Sequence, residues 1–329
     1  MRKEGLARWI VIFLVLAAIV VPLGSWWLSR AQGTQIEMHA RMPENGGWSI
    51  DTIQAKVGQP IQLRLTSDDV VHGFAIGKSD MESWVSIFPG EYVETTLIFE
   101  HPGKYTFYCT RWCGPNHWRM HGDIIVTGEG DPIPSDPLPL FLQYNIDIDA
   151  PHYAENIPGS PPSAERGARF SNRLPDYAID MQTYLLTSPA DLWLKLRSEP
   201  SLSDLSDMDL WDVVRWIWDR QNSSRTQSLG VKLFMALASA AHGESGRGDG
   251  VMVRGLPVMD HSRMGSGLVR PPDFTDPHVL LGASPALLEG KIIRGGMGTG
   301  MPSWGSILSR DQIHSIISYL YTIAWESIK

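Results

Sequence analysis

The chain has 329 residues, of which 43% are hydrophobic and 19% charged, and its formal net charge is -8. That length accommodates two domains, the composition excludes a disordered tail, and the acidic balance argues against nucleic-acid binding. Cysteine occurs only twice, at Cys109 and Cys113.

Residues 1–33 read as a cytoplasmic N-terminus and a single transmembrane anchor. No charged residue lies between Trp9 and Ser29, a stretch long enough to cross a bilayer as one helix. Arg2, Lys3 and Arg8 precede it and only Arg30 follows closely, which places the N-terminus in the cytoplasm and the remainder outside. A cleaved signal peptide is the alternative. Trp26 and Trp27 suit an interfacial anchor, and no small-x-small cleavage site follows closely. An extracytoplasmic compartment is oxidising, so a small structural disulfide is the plain reading of Cys109 and Cys113.

Residues 34–128 read as short strands between turns, among them Thr34–His39, Ile61–Leu65, Thr95–Phe99, Gly103–Tyr108 and Asp123–Thr127. A small antiparallel sandwich is expected. Residues 129–170 carry eight prolines and are expected to form an extended linker without helix or central strand.

From about residue 180 the pattern turns helical and repeats. Ser188-Pro-Ala-Asp-Leu is echoed by Ser284-Pro-Ala-Leu-Leu, and Leu205-Ser-Asp-Met-Asp by Leu308-Ser-Arg-Asp-Gln. Ser206 and Ser309 stand as N-caps with Asp209 and Gln312 in capping-box positions, and apolar residues follow in the same register in both copies. The repeat divides this half into residues 171–222 and 223–329, the second copy carrying an additional glycine-rich loop before Met301.

The chemistry concentrates in Cys109-Thr-Arg-Trp-Cys113-Gly-Pro-Asn-His117-Trp-Arg-Met120. Two thiolates, an imidazole and a thioether favour copper over magnesium, calcium or manganese, and the methionine argues against a structural zinc site. A mononuclear copper loop needs one cysteine, and this loop has two. A disulfide alone leaves His117, Met120 and His72 unexplained.

Together with Asp69-Val-Val-His72, Phe88-Pro-Gly90 and Gly103-Lys-Tyr-Thr-Phe-Tyr, this run resembles the extracytoplasmic domain of haem-copper oxidase subunit II over roughly residues 34–128. The resemblance implies a cupredoxin sandwich holding a binuclear copper centre, CuA. His72, Cys109, Cys113, His117 and Met120 would be ligands of two copper ions, and the backbone carbonyl of Arg111 a further weak ligand. It also implies a haem-copper catalytic subunit in the membrane as partner and a cytochrome c-type or copper-protein electron donor. Family members usually carry a magnesium-binding glutamate where this chain has Arg111, so that contact is not expected. Trp112 and Trp118, with Arg111 and Arg119, would form an electron-entry or docking rim.

Residues 228–325 resemble a class I cytochrome c domain through Gly230-Val-Lys-Leu-Phe, His242-Gly-Glu-Ser-Gly-Arg-Gly-Asp-Gly250, Pro271-Pro-Asp-Phe and Met301-Pro302. The haem attachment motif is absent, because Ala238-Ser-Ala-Ala241-His242 stands where Cys-x-x-Cys-His belongs. A haem-free domain is favoured over a non-covalent haem held by His242 and Met301.

The expectation is thus a multidomain chain with a single N-terminal transmembrane helix, an all-β cupredoxin sandwich and an all-α cytochrome c-like C-terminal region. It would lie in the inner membrane with the later domains periplasmic. Its expected role is electron entry to a terminal oxidase, without turnover by the isolated chain. The alternatives are the CuA subunit of a nitric oxide reductase and a copper-delivery protein.

Overall fold

The computed structural model describes residues 34–329 apart from 115, 255–269 and 297–299, together with residues 16, 18 and 20. The expected membrane anchor therefore falls outside the described residues. Among those described, no helix is long and apolar enough to cross a membrane.

Eight strands form the first region: β1 (Thr34–Ala40), β2 (Thr52–Lys56), β3 (Ile61–Ser67), β4 (His72–Ile76), β5 (Val85–Ile87), β6 (Val93–Leu97), β7 (Gly103–Tyr108) and β8 (His121–Thr127). A three-stranded sheet has the order β1-β3-β6 and a five-stranded sheet the order β2-β8-β7-β4-β5. The sandwich is mixed, not purely antiparallel as the strand spacing suggested, because β1 runs parallel to β3 and β2 parallel to β8. Alternation builds the core: Ile53 and Ala55 of β2 and Ile124 and Val126 of β8 point inward while their neighbours face out. Trp48, Phe74 and Phe107 meet at 5.7–5.9 Å between ring centroids, a spacing that suits edge and tilted aromatic contacts.

The proline-rich segment differs from expectation in one respect. It contains two single-turn helices, α1 (Leu140–Gln143) and α2 (Ala164–Ala168). Both begin just after prolines, where a missing N–H costs nothing, and Ser163 caps α2 through the Arg166 N–H. The buried Asp212 carboxylate accepts from the Ser163 N–H at 2.6 Å and from the Arg166 guanidinium at 2.5 and 2.7 Å, which ties α2 down.

The remaining helices are α3 (Met181–Leu186), α4 (Pro189–Arg197), α5 (Asp207–Arg220), α6 (Ser224–Leu233), α7 (Ser239–His242), α8 (Pro277–Leu281), α9 (Pro285–Arg294) and α10 (Arg310–Ser327), with a π-helical turn over Phe234–Ala238. Ser188 and Ser284 cap α4 and α9, and complete capping boxes open α5 at Ser206–Asp209 and α10 at Ser309–Gln312. The two copies share a further device. In the first, α2 crosses α5 so closely that a Cβ on Gly167 would lie 2.0 Å from the Asp212 carbonyl oxygen; in the second, α6 crosses α10 and a Cβ on Gly230 would lie 2.0 Å from the Ser315 carbonyl oxygen. Only glycine fits such a crossing. By this criterion the first copy begins at α2, inside the expected linker.

The sandwich is fastened to the helices. Lys78 N–H donates to the Ile307 carbonyl at 2.7 Å, Gln312 Nε2 donates to the Ser79 carbonyl at 2.9 Å, and Gly77 lies against Ser306. Ala75 and Tyr108 of the sandwich join the apolar cluster of the helical half.

Candidate metal centre

Cys109 follows β7 directly, His72 opens β4, and the loop from Cys113 through a 3₁₀ turn at His117–Arg119 delivers Met120 to the start of β8. The loop is closed at its base by Cys109 N–H donating to the Met120 carbonyl at 2.9 Å. Asn116, at φ 59, and Gly114, at φ 139, supply the left-handed backbone that folds it over.

All five side chains expected to bind metal are buried at one end of the sandwich. The Cys109 Sγ lies 3.8 Å from His72 Nδ1, and the Cys113 Sγ lies 3.4 Å from His117 Nδ1 and 3.7 Å from Met120 Sδ. Ligand atoms of His72, Cys109 and Cys113 fall within 4.8 Å of one another. The Arg111 carbonyl sits 3.1 Å from Cys109 Sγ, while the Arg111 side chain leaves the cluster and reaches Ser86 Oγ at 3.2 Å. Both cysteines are free thiols.

Asp69 had no role assigned to it from the sequence. Its carboxylate accepts from His72 Nε2 at 2.8 Å, leaving Nδ1 as the ring atom turned toward the sulfurs. Burial pushes the Asp69 carboxyl up, but hydrogen bonds from His72, the Met42 and Val70 N–H groups and Asn45 outweigh it and hold it down at about 2. A carboxylate partner fixes a ligating imidazole's tautomer and orientation. The signal was local, an acid three residues before the histidine. Gly73 N–H also points at Cys109 Sγ, at 3.4 Å.

Electrostatics divide the two thiols. Burial raises the Cys109 thiol, yet hydrogen bonding from Cys113, His117 and His72 outweighs it and holds the thiol well below its ordinary value. Cys113 is pushed up, first by its hydrogen bond to Cys109 and then by burial. A soft cation bound here would displace the protons these sulfurs carry. Two thiolates, two imidazoles and a thioether in a closed, water-poor pocket fit copper.

The other expected residues lie elsewhere. Trp112 and Trp118 are 39% and 36% exposed, flanking the loop. His242 stacks on Phe274 at 4.7 Å between centroids, 14° from parallel. Burial drives it down to about 4, so its imidazole is neutral, and its Nδ1 is buried without a hydrogen-bond partner. Met301 is partly buried against the helical core, and its carbonyl accepts from the Gly296 N–H at 3.1 Å.

Strands and loop together form a β-sandwich domain with a soft donor set that suits copper at one end. Residues 49–128 match the family described as "Cytochrome C oxidase subunit II, periplasmic domain". Over 80 residues the chain is 34% identical to cytochrome c oxidase subunit 2 of Thermus thermophilus, covering 24% of this chain and 58% of that protein. A second subunit 2 from a named strain of the same organism is likewise 34% identical, with 46% of it covered. The chain therefore spans about half the length of these relatives. Nitrous-oxide reductase of Ralstonia nicotianae is 35% identical over 83 residues, 12% of its length. Among solved structures, the periplasmic domain of subunit II of cytochrome oxidase of Bradyrhizobium japonicum covers 29% of this chain and 83% of its own, at 20% identity and a TM-score of 0.24.

Proposed function

We propose that this chain is the electron-entry subunit of a membrane terminal oxidase, with its copper held by His72, Cys109, Cys113, His117 and Met120 and the Arg111 carbonyl. The observation that carries this reading is the convergence of two free, buried thiols with two imidazoles and a thioether at one end of a cupredoxin-type sandwich. Bound copper, held by these residues, would supply a one-electron couple. The chain's residues supply the rest. Asp69 holds His72 in one tautomer, the Gly73 N–H is directed at one sulfur, and the Cys109–Met120 backbone bond keeps the loop in one shape through a change of charge. Burial excludes water, which limits rearrangement and exchange of ligands. These features suit permanent occupancy over copper delivery.

Electron paramagnetic resonance of the copper-loaded chain tests the centre, with one unpaired electron shared over two coppers as the expected spectrum. A mononuclear copper spectrum would defeat it. Within the native complex, oxygen consumption is expected, and nitric oxide consumption in its place would assign the chain to a nitric oxide reductase.

The helical half is read as a cytochrome c-like region that has given up haem. Ala238 and Ala241 remove both covalent attachment points, and thioethers contribute much of haem retention in a domain of this size. A pyridine-haemochrome assay is expected to find no haem, and a Soret band that depends on His242 would sink this reading.

A further inference from the structure

The turn that follows β1 touches both sides of the metal centre, although none of its residues is a candidate ligand. Residues 40–48 fold back on themselves. Ala40 and Trp48 form an antiparallel bridge, the Arg41 N–H donates to the Gly47 carbonyl at 3.1 Å, and a 3₁₀ turn covers Pro43–Asn45. The Met42 carbonyl accepts from the Asn45 N–H at 2.8 Å and from the Gly47 N–H at 3.2 Å. Gly46 and Gly47, at φ 107 and 66, supply the left-handed backbone that closes so small a loop. Trp48 is buried in the sandwich core against Phe74 and Phe107, so the turn is pre-shaped and fixed at its base.

From that base it holds the limbs that carry the two histidines. On the His72 side, the Met42 N–H and Asn45 Nδ2 donate to Asp69 Oδ2 at 2.7 and 3.1 Å. The other oxygen, Oδ1, accepts from His72 Nε2 at 2.8 Å and from the Val70 N–H at 2.7 Å. The turn thus fixes one oxygen of the carboxylate and leaves its fellow to orient the ring. On the His117 side, Glu44 Oε1 accepts from Asn116 Nδ2 at 2.8 Å. Asn116, at φ 59, directly precedes His117, so its placement sets where that ring enters the site. Met42 meets the same loop, since a Cβ on Gly114 would lie 3.0 Å from its Sδ. Turn and loop also share the walls of a cleft of about 390 Å³, among them Pro43, Glu44, Asn116, Arg119 and His121. The two are therefore joined at discrete points and not by continuous packing.

We propose that Met42, Glu44 and Asn45 are positioning residues that clamp the His72 and His117 limbs to one turn and so slow the exchange of metal. This rests on the copper reading above for the metal, and on the hydrogen bonds alone for the clamp. An imidazole swings away from the sulfurs only when the turn releases Asp69 or Asn116. Glu44, Asn45 and Asn116 are exposed, so each bond is of modest strength, and the hold comes from their convergence on one pre-shaped turn.

The test uses the full chain in copper-loaded and copper-free forms. Copper release to excess EDTA and the electron paramagnetic resonance spectrum are followed in the loaded form. In the reduced, copper-free form, alkylation of Cys109 and Cys113 by iodoacetamide reports the looseness of the loop without any metal. Glu44→Ala with Asn45→Ala should speed both release and alkylation about tenfold, as loss of two exposed hydrogen bonds implies, and should alter the copper hyperfine pattern. Glu44→Gln keeps an acceptor for Asn116 Nδ2 and should match the wild type. Glu44→Lys, an exposed change that leaves the core alone, should speed release about threefold to fivefold. Circular dichroism checks folding. Wild-type rates in the folded double variant or in Glu44→Lys, or a Glu44→Gln variant as fast as Glu44→Lys, overturn the proposal. Faster alkylation of a double variant whose parent chain takes up no copper upholds the clamp and defeats the copper reading.

Discussion

Two regions of this molecule carry a histidine, a methionine and a pair of short residues at metal-site spacing, and they have different fates. Around the loop the pair is cysteine and all five side chains are buried, with ligand atoms of His72, Cys109 and Cys113 within 4.8 Å of one another and His117 and Met120 beside the Cys113 sulfur. In the helical half the pair is Ala238 and Ala241, and the histidine is a half-buried ring stacked on Phe274 with its Nδ1 unpartnered among the described residues. A ligand set is therefore defined by convergence and charge, not by residue type alone. The thiols add both, because they bring negative charge that only a cation or a proton can satisfy in a buried place.

The comparison breaks first at the thiols. Cys109→Ala or Cys113→Ala should abolish the shared-electron copper spectrum while leaving far-ultraviolet circular dichroism intact; retention of that spectrum in either variant would end the assignment of both thiols as ligands. Gly230→Val should do the reverse. Its side chain must displace the Ser315 backbone, an overpacking cost of about 3 kcal/mol, so denaturant titration should show the helical half weakened and the copper spectrum unchanged. Asp69→Asn should lower copper affinity about 10-fold to 100-fold, as loss of a histidine-orienting carboxylate does, read by competition with a chelator.

Glu289 supplies the pH-dependent arm. Its fully buried carboxylate accepts from the Leu140 N–H at 3.0 Å and pairs with Arg310 at 3.0 Å. Burial raises its pKa, but His314, the Leu140 N–H and Arg310 outweigh burial and bring it below the usual value. A depressed carboxyl contributes stability that is present above the unfolded value of 4.5 and is lost as pH falls through the folded one. Denaturation midpoints of the wild type should therefore decline below pH 4.5, and Glu289→Gln should flatten that decline. The smallest effect belongs to Ser309→Ala, about 1 kcal/mol from loss of a helix cap, measured by the same titration.

What could be read from sequence was what is local. The capping boxes at Ser206 and Ser309 span four residues each and carry their own hydrogen-bond logic, so both helix starts were legible. The clustering of soft donors was visible because Cys109, Cys113, His117 and Met120 fall within twelve residues; that they are buried together with His72 is what the structure adds. Parallel pairing of β1 with β3 and of β2 with β8 was not, since strand direction depends on where distant segments meet. The start of the first helical copy was hidden by the surrounding prolines. Its one clear signal was a glycine, Gly167, three residues before Phe170, comparable with Gly230 four residues before Phe234. The role of Asp69, although the residue stands in the motif Asp69-Val-Val-His72, is not legible in sequence, because an acid reveals its partner only when the histidine folds back onto it.

Gln312 uses both ends of one amide. Its oxygen accepts from the Ser309 N–H and so starts the last helix, while its nitrogen donates to Ser79 on the sandwich. Turning that amide over would forfeit both bonds at once, so a single dihedral keeps the helix start and the domain contact in step. A glutamate there would keep the first bond and lose the second, which makes this position a latch that can be released without unfolding what it latches.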